Sequence, residues 1–156
     1  MDNILTPDKV KELSASLKIE HQSIVLVGGC FYILHPGHIA FLGNAKAYGD
    51  HLILLLESDE SVRRRKGEKR PINTSYKRAK ILLEKTSVDT IIQLPFPFVD
   101  RDYDKLVSSL KPAIIATTKG DPYIHHKIRQ GELIGAKVVE VINRLPEHST
   151  TNILNN

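Results

Sequence analysis

SIVLVGGCFYILHPGH, residues 23–38, is the stretch that decides the fold. Four apolar residues, Ile24 to Val27, run into Gly28-Gly29, then into an aromatic pair, and then into two histidines around Pro36-Gly37. So short a run, apolar at every position, fits a strand covered on both faces, as in a parallel sheet. Pro36 suits the first turn of a helix, where the N–H it lacks would have no partner. The stretch therefore reads as strand, glycine turn and helix, the first half of a βαβ unit.

The same pattern recurs outward from it. HLILLLES (51–58), DTIIQLP (89–95), AIIATT (113–118) and AKVVEVI (136–142) are further short apolar runs. Between them lie stretches with helical character. Pro36 to Tyr48 places Ile39, Leu42, Ala45 and Ala47 on one side, and Thr74 to Thr86 begins on a threonine cap and carries Ala79, Ile81, Leu82 and Leu83. Asp102 to Leu110 and Asp121 to Ile134 read as two more helices. The alternation predicts an α/β fold, a Rossmann-like, doubly wound parallel sheet of five strands with helices on both faces. Thr6-Pro7 with Val10, Leu13 and Leu17 predicts an N-terminal helix within residues 1–20, appended to a single domain over residues 1–156. In such a sheet the ligand sits beyond the strand C-termini, where strand order reverses. The informative loops are then those after Cys30, Ser58, Pro95, Thr118 and Ile142.

Bulk properties narrow the partners. The 156 residues carry 22 Lys+Arg against 18 Asp+Glu, a net charge of +4 that favours anionic ligands without choosing among them. A single cysteine, Cys30, excludes an intrachain disulfide and a cysteine zinc site, and it fits a reducing compartment. No apolar run is long enough to span a bilayer, and MDNILTPDKVKELSASLK does not read as a leader, so a cytoplasmic chain away from membranes is expected.

HPGH, His35 to His38, carries the chemistry. Gly37 lets an anion approach the backbone, and free N–H groups at a helix start favour negative charge. Two histidines three residues apart share a helix face and can both donate to phosphate oxygens. An isolated H-x-x-H can equally be one packed and one solvated histidine, and zinc would need a third ligand that no spacing supplies. RRRKGEKR, Arg63 to Arg70, admits a solvated helix end, a nucleic-acid patch or a phosphate-facing loop. No aromatic platform accompanies it, so nucleic acid is not expected as a partner.

GCFYILHPGHIAFLGNAKAYGDHLILLLESDE, residues 29–60, resembles the cytidylyltransferase-like nucleotidyltransferases, whose loop reads G-x-F-D-x-x-H-x-G-H. It is most similar to the branch that adenylylates heptose 1-phosphate. Gly49-Asp50, Ser58-Asp59-Glu60, Lys66-Gly67-Glu68-Lys69-Arg70-Pro71, Arg78 and Ser149-Thr150-Thr151 follow in the family's order. The resemblance implies transfer of a nucleotidyl group, AMP from ATP, to a phosphorylated small molecule, with release of pyrophosphate. It casts His35, His38 and Lys66 as catalytic. It gives Gly29, Cys30, Phe31, Gly37, Ser149, Thr150 and Thr151 to the nucleotide, and has Arg78 pair with phosphate or brace the loop. Lys119-Gly120-Asp121, with Tyr123, echo a K-G-G-D-Y segment near base and ribose, although Pro122 intervenes. Tyr32, Arg70 and Arg144 are candidate acceptor contacts. Mg²⁺ is implied on the triphosphate, held by substrate oxygens and water rather than by the protein, and relatives are commonly homodimers.

Tyr32 departs from the motif, which has an aspartate there. A tyrosine can hydrogen-bond or stack but supplies no carboxylate. That keeps open a cytidylyltransferase acting on glycerol 3-phosphate or another alditol phosphate, an FAD synthetase-like enzyme, and a nucleotide-binding module impaired in catalysis. His125 and His126 are expected as exposed helical residues, and Cys30 as packing at the strand end.

Overall fold

The computed structural model describes residues 3–67, 69 and 73–141. Its strands are β1 (Ile4–Leu5), β2 (Ile24–Gly29), β3 (His51–Leu56), β4 (Thr90–Gln93), β5 (Ile114–Thr118) and β6 (Lys137–Val141). They form one parallel sheet in the order β1-β4-β3-β2-β5-β6. The five expected strands are all present, but among the described residues the count of five is corrected to six. The addition is β1, which pairs with β4 at Ile4–Ile91 and Leu5–Ile92. Two residues carry no periodicity, so only the neighbouring strand identifies them as β.

The helices are α1 (Val10–Ile19), entered through a 3-10 turn at Pro7–Lys9, then α2 (Pro36–Lys46), α3 (Asp59–Lys66), α4 (Ser75–Lys85), α5 (Asp100–Leu110) and α6 (Ile124–Ile134). Thr74 caps α4 as its sequence predicts, its Oγ1 accepting the Lys77 N–H at 3.3 Å. Because side chains alternate across a strand, an all-apolar strand must be buried twice. Val25, Val27, Leu52, Leu54 and Leu56 pack against Phe41, Leu42 and Ala45 of α2 and Ala79 and Leu82 of α4. Ile24, Leu26, Ile53 and Leu55 face the other way, onto Leu13 and Leu17 of α1 and Leu106, Val107 and Leu110 of α5.

Polar ties secure the N-terminal ends of the central strands. The Asp50 carboxylate accepts the Ser23 N–H at 2.9 Å and its hydroxyl at 3.1 Å. Asp89 accepts the Leu52 N–H at 2.8 Å and also the Lys46 ammonium. At the opposite ends the sheet opens. β2 pairs with β3 all the way to Gly29–Leu56, whereas its ladder with β5 holds only Val25–Ile114 and Leu26–Ile115. Strand order runs from β2 to β3 and β4 on one side and to β5 and β6 on the other, so β2 and β5 flank the reversal point. A crevice at that place is where a doubly wound sheet binds its ligand.

Candidate functional site

The crevice widens into a cavity of about 580 Å³. Gly28 and Gly29 of β2 border it, as do Ala116, Thr117 and Thr118 of β5. The β2–α2 connection adds Cys30, Phe31, Tyr32, His35, Gly37 and His38, α3 adds Arg65 and Lys66, and Asp121 and Lys127 come from beyond β5. The topology thus gathers three loops, and most of the expected residues, at one point.

His35 is the N-cap of α2, and its Nδ1 accepts the Gly37 N–H at 3.2 Å. His38 reaches back so that its own Nδ1 accepts the His35 N–H at 3.4 Å. With both Nδ1 atoms accepting, the proton of each neutral ring sits on Nε2. The rings stack with centroids 3.8 Å apart and planes 18° from parallel. Burial, and secondarily the neighbouring His35, lower the His38 pKa to about 4, against a hydrogen bond to the Ile33 backbone that favours the charged form. At pH 7 His38 is therefore a neutral, tautomer-fixed N–H donor. One expectation is corrected: the Gly37 N–H is taken by His35, so the histidine rings, and not a bare helix start, present the donors.

Phe31 explains the glycine before it. Its backbone lies in the left-handed region at φ 44°, unusual for so bulky a residue, and its ring stands edge-on to His38 at 5.1 Å. A Cβ on Gly29 would lie 2.7 Å from that ring. Strained aromatic backbone and glycine together buttress His38.

Arg78 does not line the cavity. It is 2% exposed, and its guanidinium donates to the carbonyls of Cys30 (2.6 Å), Glu57 (3.1 Å) and Asn73 (3.2 Å) and to the Asp59 carboxylate (2.8 Å). Of the two roles expected for it, the geometry is that of a brace, tying the β2–α2 loop to the start of α3.

Lys66 ends a helix, α3, that the runs of apolar residues do not announce. The signal lies in its ends. Ser58 Oγ accepts the Ser61 N–H at 3.1 Å, Asp59 and Glu60 occupy the first turn, and Arg63 to Lys66 the last, matching the helix dipole at both ends. Arg63 and Arg64 point to the surface and pair with Glu60 at 2.9 and 3.2 Å. Arg65, which faces the cavity, lies 3.7 Å from the Glu57 carboxylate, itself accepting the Tyr103 hydroxyl at 2.8 Å.

Of the echoed residues Lys119, Gly120, Asp121 and Tyr123, only Asp121 lines the cavity, beside Lys127. It accepts from Thr117 Oγ1 (2.7 Å), Lys127 Nζ (2.6 Å) and the Tyr123 N–H (2.8 Å). Burial raises its pKa, but these hydrogen bonds and the Lys127 charge prevail and bring it to about 2. Lys119 and Gly120 form the turn beside it, Gly120 at φ +79° with its N–H 3.4 Å from Glu140 Oε2, and they do not line the cavity. Burial raises the Cys30 pKa and keeps it a thiol. His125 is exposed and His126 half-buried, their rings 4.1 Å apart. Arg65 and Lys127 escape sequence reading because nothing in their spacing marks which of several cations turns inward. Arg70, Arg144, Ser149, Thr150 and Thr151 lie outside the described residues. Among the described residues no three His, Cys, Asp or Glu side chains are grouped to hold a metal ion, and no helix is long and apolar enough to cross a membrane.

Residues 26–155 match the family described as Cytidylyltransferase-like. The chain is 37% identical over 153 residues to the bifunctional protein HldE of Actinobacillus pleuropneumoniae serotype 5b, an alignment covering 97% of this chain and 31% of HldE. The chain thus spans about a third of that relative's length. A lipopolysaccharide core biosynthesis protein from Thermoplasma volcanium superimposes with a TM-score of 0.65 at 28% identity, over 80% of this chain and 99% of that one. The pantoate-beta-alanine ligase of Francisella tularensis also gives a TM-score of 0.65, over 94% of this chain and 69% of that one. At 16% identity it shows a shared fold alone.

Proposed function

The chain belongs to the cytidylyltransferase-like family, and on that premise we propose that it transfers AMP from ATP to a sugar 1-phosphate of the heptose 1-phosphate type, releasing pyrophosphate. The observation that carries this reading is the pair of stacked imidazoles, with Nε2 as the proton-bearing nitrogen of each, at the reversal point of the sheet. An oxygen of the acceptor phosphate attacks the α-phosphorus in line. The new P–O bond forms as the bond to the β-phosphoryl oxygen breaks, and pyrophosphate carries away the electron pair. This step needs no protein nucleophile, only placement and relief of negative charge. The Nε2–H donors of His35 and His38 suit the equatorial oxygens of that transition state, and Lys66 and Arg65 of α3 supply positive charge in the same cavity. Mg²⁺ belongs to this reading as the companion of the triphosphate, carried by its oxygens and water. Asp121, the carboxylate in the described lining, is already committed to Lys127, Thr117 and Tyr123.

The acceptor type rests on the heptose-branch motifs of the sequence and on a structural relative named for lipopolysaccharide core biosynthesis. A cytoplasmic setting, where ATP is supplied, completes the proposal. The test is pyrophosphate release from ATP, CTP, GTP and UTP against sugar 1-phosphates, glycerol 3-phosphate and flavin mononucleotide. Turnover is expected with ATP and a heptose 1-phosphate. Turnover only with CTP and glycerol 3-phosphate would move the chain to the alditol branch. ATP binding without turnover on any acceptor would make it a binding module.

A further inference from the structure

The cations that line the cavity are restrained in different ways. Arg65 lies 3.7 Å from Glu57 and Lys127 lies 2.6 Å from Asp121, so each sits beside a carboxylate. Lys66 has no carboxylate within ion-pair distance among the described residues. Its ammonium instead stands over the ring of Tyr32, 5.5 Å from the centroid. We infer that Tyr32 is a positioning residue, whose ring face holds the Lys66 ammonium in the cavity without neutralising it.

The local structure makes such a restraint necessary. Lys66 is the last residue of α3, exposed, and followed by Gly67 at φ +108° with nothing within 4 Å of where a Cβ would be. Little packing therefore limits its four-carbon side chain, which would otherwise sample many rotamers. The ring, in contrast, is delivered by a fixed loop. Arg78 holds the Cys30 carbonyl at 2.6 Å, and Phe31 turns the chain through its left-handed backbone immediately before Tyr32. A ring quadrupole attracts an ammonium within about 6 Å but leaves its formal charge intact. A carboxylate in ion-pair contact would attract it more strongly and offset part of its field. Among the described residues, Tyr32 thus gives the cavity a placed cation without a carboxylate neighbour, beside Arg65 and Lys127, which each have one. The consequence for catalysis rests on the nucleotidyl-transfer reading; the placement of Lys66 does not.

The experiment separates the two. With ¹³C-lysine labelling, and Lys66 assigned through Lys66→Gln, the Lys66 ε-methylene proton resonance is expected to be shifted upfield by the ring current. The shift should persist in Tyr32→Phe and vanish in Tyr32→Leu. Affinity for inorganic tripolyphosphate and for ATP, by calorimetry, is expected to fall about two- to fivefold in Tyr32→Leu and to be retained in Tyr32→Phe. It should fall further in Tyr32→Asp, where the new carboxylate adds a negative charge that offsets Lys66. An unshifted Lys66 resonance in the wild-type protein, or equal affinities in Tyr32→Leu and wild type, overturns the positioning role even if turnover is normal. A ring-current shift kept in Tyr32→Phe and lost in Tyr32→Leu, in a protein that turns over no nucleotide, upholds the positioning role and refutes the transfer reading instead. Tighter tripolyphosphate binding by Tyr32→Asp overturns the claim that an undischarged lysine is what the ring secures.

Discussion

Replacing Arg78 by methionine keeps most of the volume and removes every donor. The guanidinium is 2% exposed and makes four hydrogen bonds, at 2.6, 2.8, 3.1 and 3.2 Å. Its loss strands the carbonyls of Cys30, Glu57 and Asn73 and leaves the Asp59 carboxylate unpaired. Hydrogen bonds from a charged donor contribute about 1.5–3 kcal/mol each, but relaxation keeps them from adding. Removing one partner of a buried ion pair typically costs about 3–5 kcal/mol, and that is the expected loss here. For a chain of this size the melting temperature should fall by about 6–20 °C. Urea unfolding followed by far-UV circular dichroism gives the free energy directly, with an unchanged slope showing that the unfolded state is the same. Arg78→Lys keeps the charge but not the planar fork, so it should recover less than half of the loss. A loss below about 1 kcal/mol, accompanied by a tenfold or greater fall in ATP affinity, would refute the bracing account and place Arg78 on the ligand.

Three further outcomes follow from the site. His38 is held neutral, with its pKa lowered from 6.5 to about 4, so the unfolded chain binds the proton first. Stability should be greatest above pH 6.5 and fall as the pH drops toward 4, by about 1–2 kcal/mol once partial exposure is allowed for. An NMR titration placing His38 at 6 or above, or an equal acid slope in His38→Gln, would contradict this. Gly29→Ala puts a methyl 2.7 Å from the Phe31 ring, which must swing off His38; turnover should drop at least tenfold with the melting temperature nearly kept, and unaltered turnover would count against the buttress. Asp121→Asn removes the charge that partners Lys127 and should cost about 1–3 kcal/mol at pH 7. Because the Asp121 pKa is lowered from 3.8 to about 2, that difference is present above pH 3.8 and closes as the pH falls through 2. A gap that is constant with pH would show the carboxylate charge to be irrelevant.

Much of this was legible in the sequence because it is local. Consecutive apolar residues in strands five or six long need cover on both faces, and that requirement alone gives a parallel sheet between helices. Thr74, Pro36 and the H-x-G-H spacing announce helix starts through chemistry confined to one turn. The resemblance of residues 29–60 to a known motif placed the histidines in one loop, and the cavity contains both. What lay beyond reading depends on residues distant in the chain. β1 is a strand only because β4 lies beside it, and α3 is a helix whose evidence is its caps and charges rather than a buried stripe. For Arg78 the sequence left two roles open, a phosphate contact or a brace for the loop; only the convergence of Cys30, Glu57, Asn73 and Asp59 shows its donors already used. The sequence alone determines that GGCFYILHPGH is a strand, a turn and a helix start, since these are set by neighbours along the chain. That Gly37 is capped by a histidine, that Phe31 needs Gly29, and that Tyr32 meets Lys66 were decided by the tertiary structure, because each depends on where side chains converge in space.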